Sequence, residues 1–277
     1  MSVQDRSQIS GAGRVVVKVG SSSISGESHH RIETIVDAIA AARGRGTDVV
    51  LVSSGAIATA LPFLHLDGRP ADLATQQAAA AVGQNLLMWR YQTSLDRHAM
   101  LGGQVLLTAG DLENAAHRAN ARRAVDRLLG LGVLPIVNEN DTVATHEIRF
   151  GDNDRLAALV ADLIGADALI LLSDIESLYT RPPSDPGAEA IRTVGYGDDL
   201  AQFEFGSVVV NSVGTGGAAT KASAARLAAA SGIGVLVTSA DLVEQALSGA
   251  DIGTWFAPNP DAPVRSGTMP LPTVSPV

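Results

Sequence analysis

The chain has 277 residues, of which 46% are hydrophobic and 18% charged. That balance excludes a disordered chain, which pairs low hydrophobicity with high charge, and it suits one large domain or two small ones. The absence of cysteine rules out disulfides, thiolate metal centres and cysteine nucleophiles, and a net charge of −9 disfavours nucleic acid and anionic membranes as partners. A small anionic substrate remains open to it if cations are focused at one site.

Residues 1–13 read as an N-terminal extension; with Asp5, Arg6 and no apolar run they do not make a signal peptide. Residues 14–19 (RVVVKV) read as a buried strand running into Gly20-Ser21-Ser22-Ser23. Ile32, Ile35, Val36, Ile39 and Ala40 then recur at helical spacing. Residues 48–53 (DVVLVS) form the next expected strand and lead into Ser54-Gly55-Ala56. A long helix is expected over 71–96 and strands over 104–108 and 133–137, with a helix between them. Two polar clusters follow, 138–141 (NEND) and 151–154 (GDND), flanking 145–150, which has the length of a hairpin. A helix over 154–164 precedes the apolar strand 168–173 (ALILLS). Asp162 and Asp167 interrupt this apolar region, so it is not a membrane span. Residues 180–212 lose periodicity and read as an irregular insertion or hairpin. A helix over 220–230 and a strand over 234–238 close the pattern. The Pro-rich segment 257–277 is expected to be disordered.

Alternation of apolar strands with helical segments predicts an α/β fold around a mainly parallel sheet with helices on both faces. Such sheets place ligands at the carboxyl ends of their strands. Gly20–Ser23, Ser53–Ala56, Asn138–Asp141 and Ser173–Asp174 all fall there, which points to an enzyme.

Each cluster has a plain reading beside the chemical one. Lys18 interrupts an apolar run, either on an edge strand facing water or at a strand end beside a Gly/Ser loop able to hold phosphate oxygens. The loop has neither the P-loop nor the GxGxxG spacing. Ser54, Gly55 and Ala56 make an ordinary helix start or a place for an anion. The clusters around Asp141 and Asn153 make solvated turns or a polar pocket for an ammonium, in which the Asn153 amide can donate to a carboxylate and accept from a donor. Asp152 and Asp154 are alternative ligands for a divalent cation, without EF-hand spacing. Asp174 either orients lysines or caps the next segment. Thr215-Gly216-Gly217-Ala218-Ala219-Thr220-Lys221 opens a helix with a lysine at its electropositive end, which calls for an anion nearby; a flexible loop with a solvated lysine is the alternative. The six histidines show no metal-binding pattern, and Trp89 is expected in the core or at an interface.

Taken together and in order, VVVKVGSS, VLVSSGAIA, AVGQ, QVLLT, PIVNENDTVAT, GDNDRLAALVA, LLSDIESLYT and VGTGGAATKASAA resemble the amino acid kinase family, and within it the branch that phosphorylates glutamate. The resemblance runs over residues 14–256. It implies a three-layer αβα sandwich whose N-terminal part binds the amino acid and whose C-terminal part binds ATP. Carried over position by position, it implies that Lys18 and Lys221 neutralise the transferring phosphoryl group and that Asp154 organises them. Lys18, Gly20, Ser21, Ser173, Asp174 and the stretch Thr215, Gly216, Gly217, Ala218, Ala219, Thr220, Lys221 correspond to the ATP site. Ser54, Gly55, Ala56, Asp141 and Asn153 correspond to the glutamate contacts. Ala218 departs from the usual Met of this loop, and Glu176-Ser177 from the common Asp/Lys-Gly. Many bacterial relatives carry a C-terminal PUA domain where this sequence has its Pro-rich tail.

The implied reaction moves the γ-phosphoryl of MgATP to the γ-carboxylate of L-glutamate, the first step of proline synthesis. A carboxylate is already a nucleophile, so no general base is required; alignment and charge stabilisation carry the reaction. Mg²⁺ is expected on the ATP phosphates rather than on a protein site. The alternatives are a paralogue acting on N-acetylglutamate or a larger glutamate derivative, and a non-catalytic nucleotide or amino-acid sensor. A cytoplasmic homo-oligomer is expected, with no membrane or nucleic-acid partner.

Overall fold

The computed structural model describes residues 3–144, 153–200 and 217–263. Its centre is a run of strands that are apolar because they are covered on both faces: β1 (Arg14–Lys18), β2 (Asp48–Val52), β3 (Gly102–Leu107), β4 (Leu134–Glu139), β5 (Ala168–Ser173), β6 (Thr193–Val194), β7 (Gly234–Ser239) and β8 (Thr254–Phe256). They form one sheet in the order β3-β4-β2-β1-β5-β7-β8-β6. Every neighbouring pair is parallel except β7 with β8.

Successive side chains leave a strand on opposite faces, so the sheet feeds two cores. Val15, Val17 and Leu51 meet Ile35 and Ile39 of α1 (Arg31–Gly44), Leu87 and Leu95 of α3 (Leu73–Asp96) and Val243 of α8 (Val243–Leu247). Val16, Val50 and Val52 meet Val125 of α5 (Ala115–Gly130), Leu156 and Val160 of α6 (Asn153–Ile164) and Ala225 of α7 (Ala218–Ala230). Each fully buried aliphatic side chain contributes about 1.5–3 kcal/mol. Two short helices, α2 (Ala56–Ala60) and α4 (Ala109–Glu113), follow β2 and β3. The result is the expected three-layer αβα sandwich. Among the described residues no helix is long and apolar enough to cross a membrane.

Several expectations shift. β4 runs two residues past 137, because Asn138 and Glu139 continue the ladder opposite Leu106 and Leu107. α3 starts at Leu73, where the Asp72 carboxylate accepts from the Thr75 N–H and fixes the start. Within 180–212, Thr193–Val194 adds an edge strand beside β8 and Tyr179 bridges Ala190; residues 201–212 and the hairpin expected over 145–150 lie outside the described residues. Trp89 is not in the core: it is 67% exposed on α3. Residues 257–259, at the start of the tail, contact the body. The Ala257 N–H donates to Val194 O, the Asn259 N–H donates to Ala229 O, and Pro258 is buried. Arg6–Gly11 of the N-terminal extension forms a short 3₁₀ helix with Arg6 buried.

Candidate active site

β1 lies at the middle of the sheet between β2 and β5, so Lys18 is not on an edge strand; it is 2% exposed. Its Nζ lies 2.5 Å from Asp154 Oδ1, and Lys221 Nζ donates to Asp154 Oδ2 at 3.0 Å. Asp154 is wholly buried in the first turn of α6, and Lys221 is 7% exposed in the first turn of α7. Burial alone would raise the Asp154 pKa, but the Lys18 and Lys221 ammoniums outweigh it and hold the carboxyl down at about 2. The anion that the misplaced charge of Lys221 called for is thus Asp154. Among the described residues one carboxylate stands between two ammoniums, a surplus of positive charge.

The cluster opens onto the loop after β1. A Cβ added at Gly20 would stand 3.8 Å from Lys18 Nζ, so backbone runs beside the ammonium. Ser21, half-buried, lies in the same turn, where its carbonyl accepts from the Ser25 N–H. Across from it Gly55 has φ +87°, and a Cβ there would meet Ser25 Oγ at 3.0 Å and Ser21 Cα at 3.4 Å. Gly55 therefore lets the Ser54–Ala56 turn pack directly on the Gly20–Ser25 turn. At the end of β5, half-buried Ser173 is followed by Asp174, which accepts from Ser23 Oγ at 3.1 Å. Asp174 thus ties two loops together, and the acid between the lysines is Asp154. In α7 the Thr220 hydroxyl accepts from the Gly217 N–H and donates to Gly217 O, closing the turn that carries Ala218, Ala219 and Lys221. Thr215, Gly216 and Asp152 lie outside the described residues.

On the other flank the Asn153 Nδ2 donates to Ser53 O at 2.6 Å and to Asn138 Oδ1 at 2.7 Å. Both amide hydrogens are spent on the protein, which corrects the expectation that Asn153 donates to a carboxylate; its Oδ1 is the atom left for a ligand. Asp141 lies half-buried in the turn directly after β4. Ser53 Oγ bonds Tyr91 OH at 2.9 Å, and burial pushes the Tyr91 phenol well above its ordinary range. Sequence reasoning placed Ser53 and Asn138 in its polar clusters at the strand ends but gave no role to Gln84 or Tyr91, which complete this flank. The one available signal was polar side chains inside otherwise apolar helix and strand patterns, a signal shared with many surface positions.

Order along the sheet divides the labour. Asn138 is the penultimate residue of β4, Ser53 directly follows β2, Lys18 ends β1, and Ser173 ends β5. Acceptors on the first flank suit an ammonium. The cationic cluster in the middle suits a group carrying negative charge. Asn153 and Asp154, adjacent on α6, connect the two. Among the described residues no three His, Asp or Glu side chains converge as a metal cage, and Asp154 is occupied by the lysines.

Comparison with known proteins identifies the family. The chain is 66% identical over 258 residues to a glutamate 5-kinase of Clavibacter sepedonicus, covering 93% of this chain and 99% of that protein. It is 63% identical over 266 residues to one of Leifsonia xyli, covering 96% and 98%. A glutamate 5-kinase of Thermobifida fusca matches at 52% identity, with 92% of this chain covering 67% of that longer protein. Among solved structures, carbamate kinase from Giardia lamblia bound to AMP-PNP superposes with a TM-score of 0.65 at 17% identity, over 90% of this chain and all of that one. Isopentenyl phosphate kinase of T. acidophilum gives 0.61 at 15% identity, over 88% and 99%; at such identities these two speak for the fold alone. The model of the amino acid kinase family matches residues 13–239, a span from the start of β1 to the end of β7 that holds every side chain of the site, and the chain belongs to that family.

Proposed function

We propose that this chain transfers the γ-phosphoryl group of MgATP to the γ-carboxylate of L-glutamate, giving ADP and L-glutamyl 5-phosphate, the first step of proline biosynthesis. One observation carries the reading: two buried lysines, from the central strand and from the start of α7, converge on one buried carboxylate at the carboxyl end of the sheet. In the transfer a glutamate carboxylate oxygen bonds to the γ-phosphorus while the bond to the β-phosphate oxygen breaks, its electron pair leaving with ADP. Charge shifts toward the bridging oxygen and spreads over the equatorial oxygens, and two oriented ammoniums stabilise it more than they stabilise the ground state. Asp154 keeps the ammoniums apart and aimed. Mg²⁺ comes with the nucleotide, coordinated by its phosphates.

Asp141 and Asn153 Oδ1 are proposed to accept from the substrate ammonium, with Ser54, Gly55 and Ala56 at the carboxylate side. Gly20, Ser21, Ser173, Asp174 and the start of α7 are proposed to hold the nucleotide. An N-acetylated acid lacks the ammonium that these acceptors require, and a sensor has no use for paired cations aimed at a transition state. A cytoplasmic homo-oligomer is part of the same reading. Trp89 and Val82, seven residues apart on one face of α3, are 67% and 38% exposed, which supports an interface there; light scattering giving a monomer mass would remove that part. The central test is ATP-dependent hydroxamate formation across glutamate, N-acetylglutamate and other acids. Glutamate should be the preferred acceptor, and a preference for an N-acylated acid would overturn the reading.

A further inference from the structure

Asn153 holds its place through a chain of amides that reaches α3. Asn138 Oδ1 accepts from Asn153 Nδ2 at 2.7 Å and from the Glu139 main-chain N–H at 2.9 Å. Asn138 Nδ2 donates to Gln84 Oε1 at 3.3 Å, which also accepts from Gln104 Nε2 at 2.9 Å, while Gln84 Nε2 donates to the Glu139 carbonyl at 3.4 Å. Gln84, Asn138 and Asn153 are 7%, 3% and 9% exposed. An isolated amide can present either end to a neighbour, but here main-chain groups remove the choice. The Glu139 N–H only donates, so it claims Asn138 Oδ1; the Glu139 carbonyl only accepts, so it claims Gln84 Nε2. The Ser53 carbonyl only accepts, so it claims Asn153 Nδ2. Each of these amides therefore has one orientation, and in the last one Asn153 Oδ1 is the end with no protein donor among the described residues.

We propose that Gln84 is a positioning residue for the substrate amino group. By accepting from Asn138 Nδ2, it holds in place the Asn138 amide whose Oδ1 receives Asn153 Nδ2, and so keeps Asn153 Oδ1 placed to accept from a free ammonium. This rests on the glutamate reading above and adds to it the residue that sets amino-group specificity. Replacing Gln84 by Leu strips Asn138 Nδ2 of its acceptor and leaves the Asn138 amide held from one side only, by the Glu139 N–H, which loosens the position of Asn153.

The test compares glutamate with glutarate, which has the same two carboxylates and no amino group. Loss of a hydrogen bond to a charged group corresponds to about tenfold or more in affinity. In Gln84→Leu the KM for glutamate should rise about tenfold, while the KM values for glutarate and ATP stay within about twofold. Added to Asn153→Ala, the same substitution should raise the glutamate KM by no more than about twofold, since the atom it positions is gone. An equal rise for glutarate, or the full effect in the Asn153→Ala background, would overturn the proposal and leave Gln84 as a packing residue. Gln84→Glu keeps an acceptor toward Asn138 and provides a second variant if the leucine form does not fold. It should retain the preference for glutamate over glutarate within about threefold, and loss of that preference would overturn the proposal too. A parent chain that phosphorylates N-acetylglutamate or glutarate in preference to glutamate would instead overturn the glutamate reading beneath it.

Discussion

At the scale of single residues the site is governed by one carboxylate between two ammoniums. Removing a partner from a buried ion pair leaves a charge uncompensated and costs about 3–5 kcal/mol. Asp154→Ala should therefore both unfold more easily in urea and lose nearly all turnover, because it leaves Lys18 and Lys221 to repel each other. Lys221→Ala acts on charge that develops during transfer. Its kcat should fall on the order of 10²–10³-fold while the KM for ATP changes only a few-fold, and Lys18→Ala should behave alike; near-normal turnover in either would dissolve the two-lysine assignment. The acid limb of stability follows from the same cluster. The folded pKa of Asp154, about 2, lies below the ordinary value of 3.8, so its contribution is fully present above about pH 4 and is lost as the pH falls from there through 2. Urea midpoints measured across that window should converge for the parent chain and Asp154→Asn as pH drops. On the amino-acid flank, Asp141→Ala and Asn153→Ala should each raise the KM for glutamate by about tenfold to a hundredfold and leave that for ATP unchanged. N-acetylglutamate, which has no ammonium, should gain nothing from Asp141.

At the scale of elements, a close approach of two helices supports the substrate loop. A Cβ at Gly83, inside α3, would stand 1.7 Å from the Ala56 carbonyl oxygen at the start of α2. Alanine in a helix interior is favoured over glycine by about 1 kcal/mol, yet here both partners are backbone and one helix must move. Gly83→Ala should cost about 3 kcal/mol and lower Tm by roughly 6–12 °C. Because α2 directly follows Ser54 and Gly55, the glutamate KM should rise while the ATP KM holds; an unchanged Tm would mean that the helices separate freely. The sequence made the principal elements legible where burial on both faces writes a continuous apolar run, as in β5, and where one face repeats at helical spacing, as in α1. It was silent where tertiary partners decide. Asn138 and Glu139 look like a loop and are strand, because β3 and the amides of Gln84 and Asn153 receive them. Residue types alone left both Asp174 and Asp154 able to stand beside the lysines; the resemblance assigned that place to Asp154, and the packing of α6 against β1 puts it there. Thr193–Val194 is too short to show any period.

At the scale of the whole molecule, the chain ends are tied through one buried guanidinium. Arg6 is 5% exposed and donates to the carbonyls of Ile252 at 2.7 Å, Gly253 at 3.1 Å and Arg192 at 2.5 Å, and to Thr193 Oγ1 at 3.1 Å. It thus joins the 3₁₀ helix at the start of the chain to the residues that open β6 and β8, more than 180 positions away in sequence. Asp251 lies 3.3 Å from its Nη1, but that carboxylate is 84% exposed, so the carbonyls carry most of the interaction. Burial tends to lower the Arg6 pKa, yet a guanidinium stays charged. Nothing about Arg6 is visible in a sequence window, since its acceptors, three carbonyls and the Thr193 hydroxyl, all lie more than 180 positions away. Arg6→Met keeps much of the apolar volume and takes the guanidinium donor from three carbonyls, of which that of Arg192 still accepts from the Trp255 N–H. A hydrogen bond to a charged group contributes about 1.5–3 kcal/mol, and partial rehydration of the exposed edge returns part of it. A net loss of about 3 kcal/mol, or roughly 6–12 °C in Tm, is the expected outcome. The kinetic constants should not move below the transition, because β7 separates this edge from Ser173 and the lysine cluster. Calorimetry on Arg6→Met decides it: an unchanged Tm would mean that the N-terminal segment merely rests on the sheet edge, and a raised KM for ATP at intact Tm would mean that this edge reaches the nucleotide site.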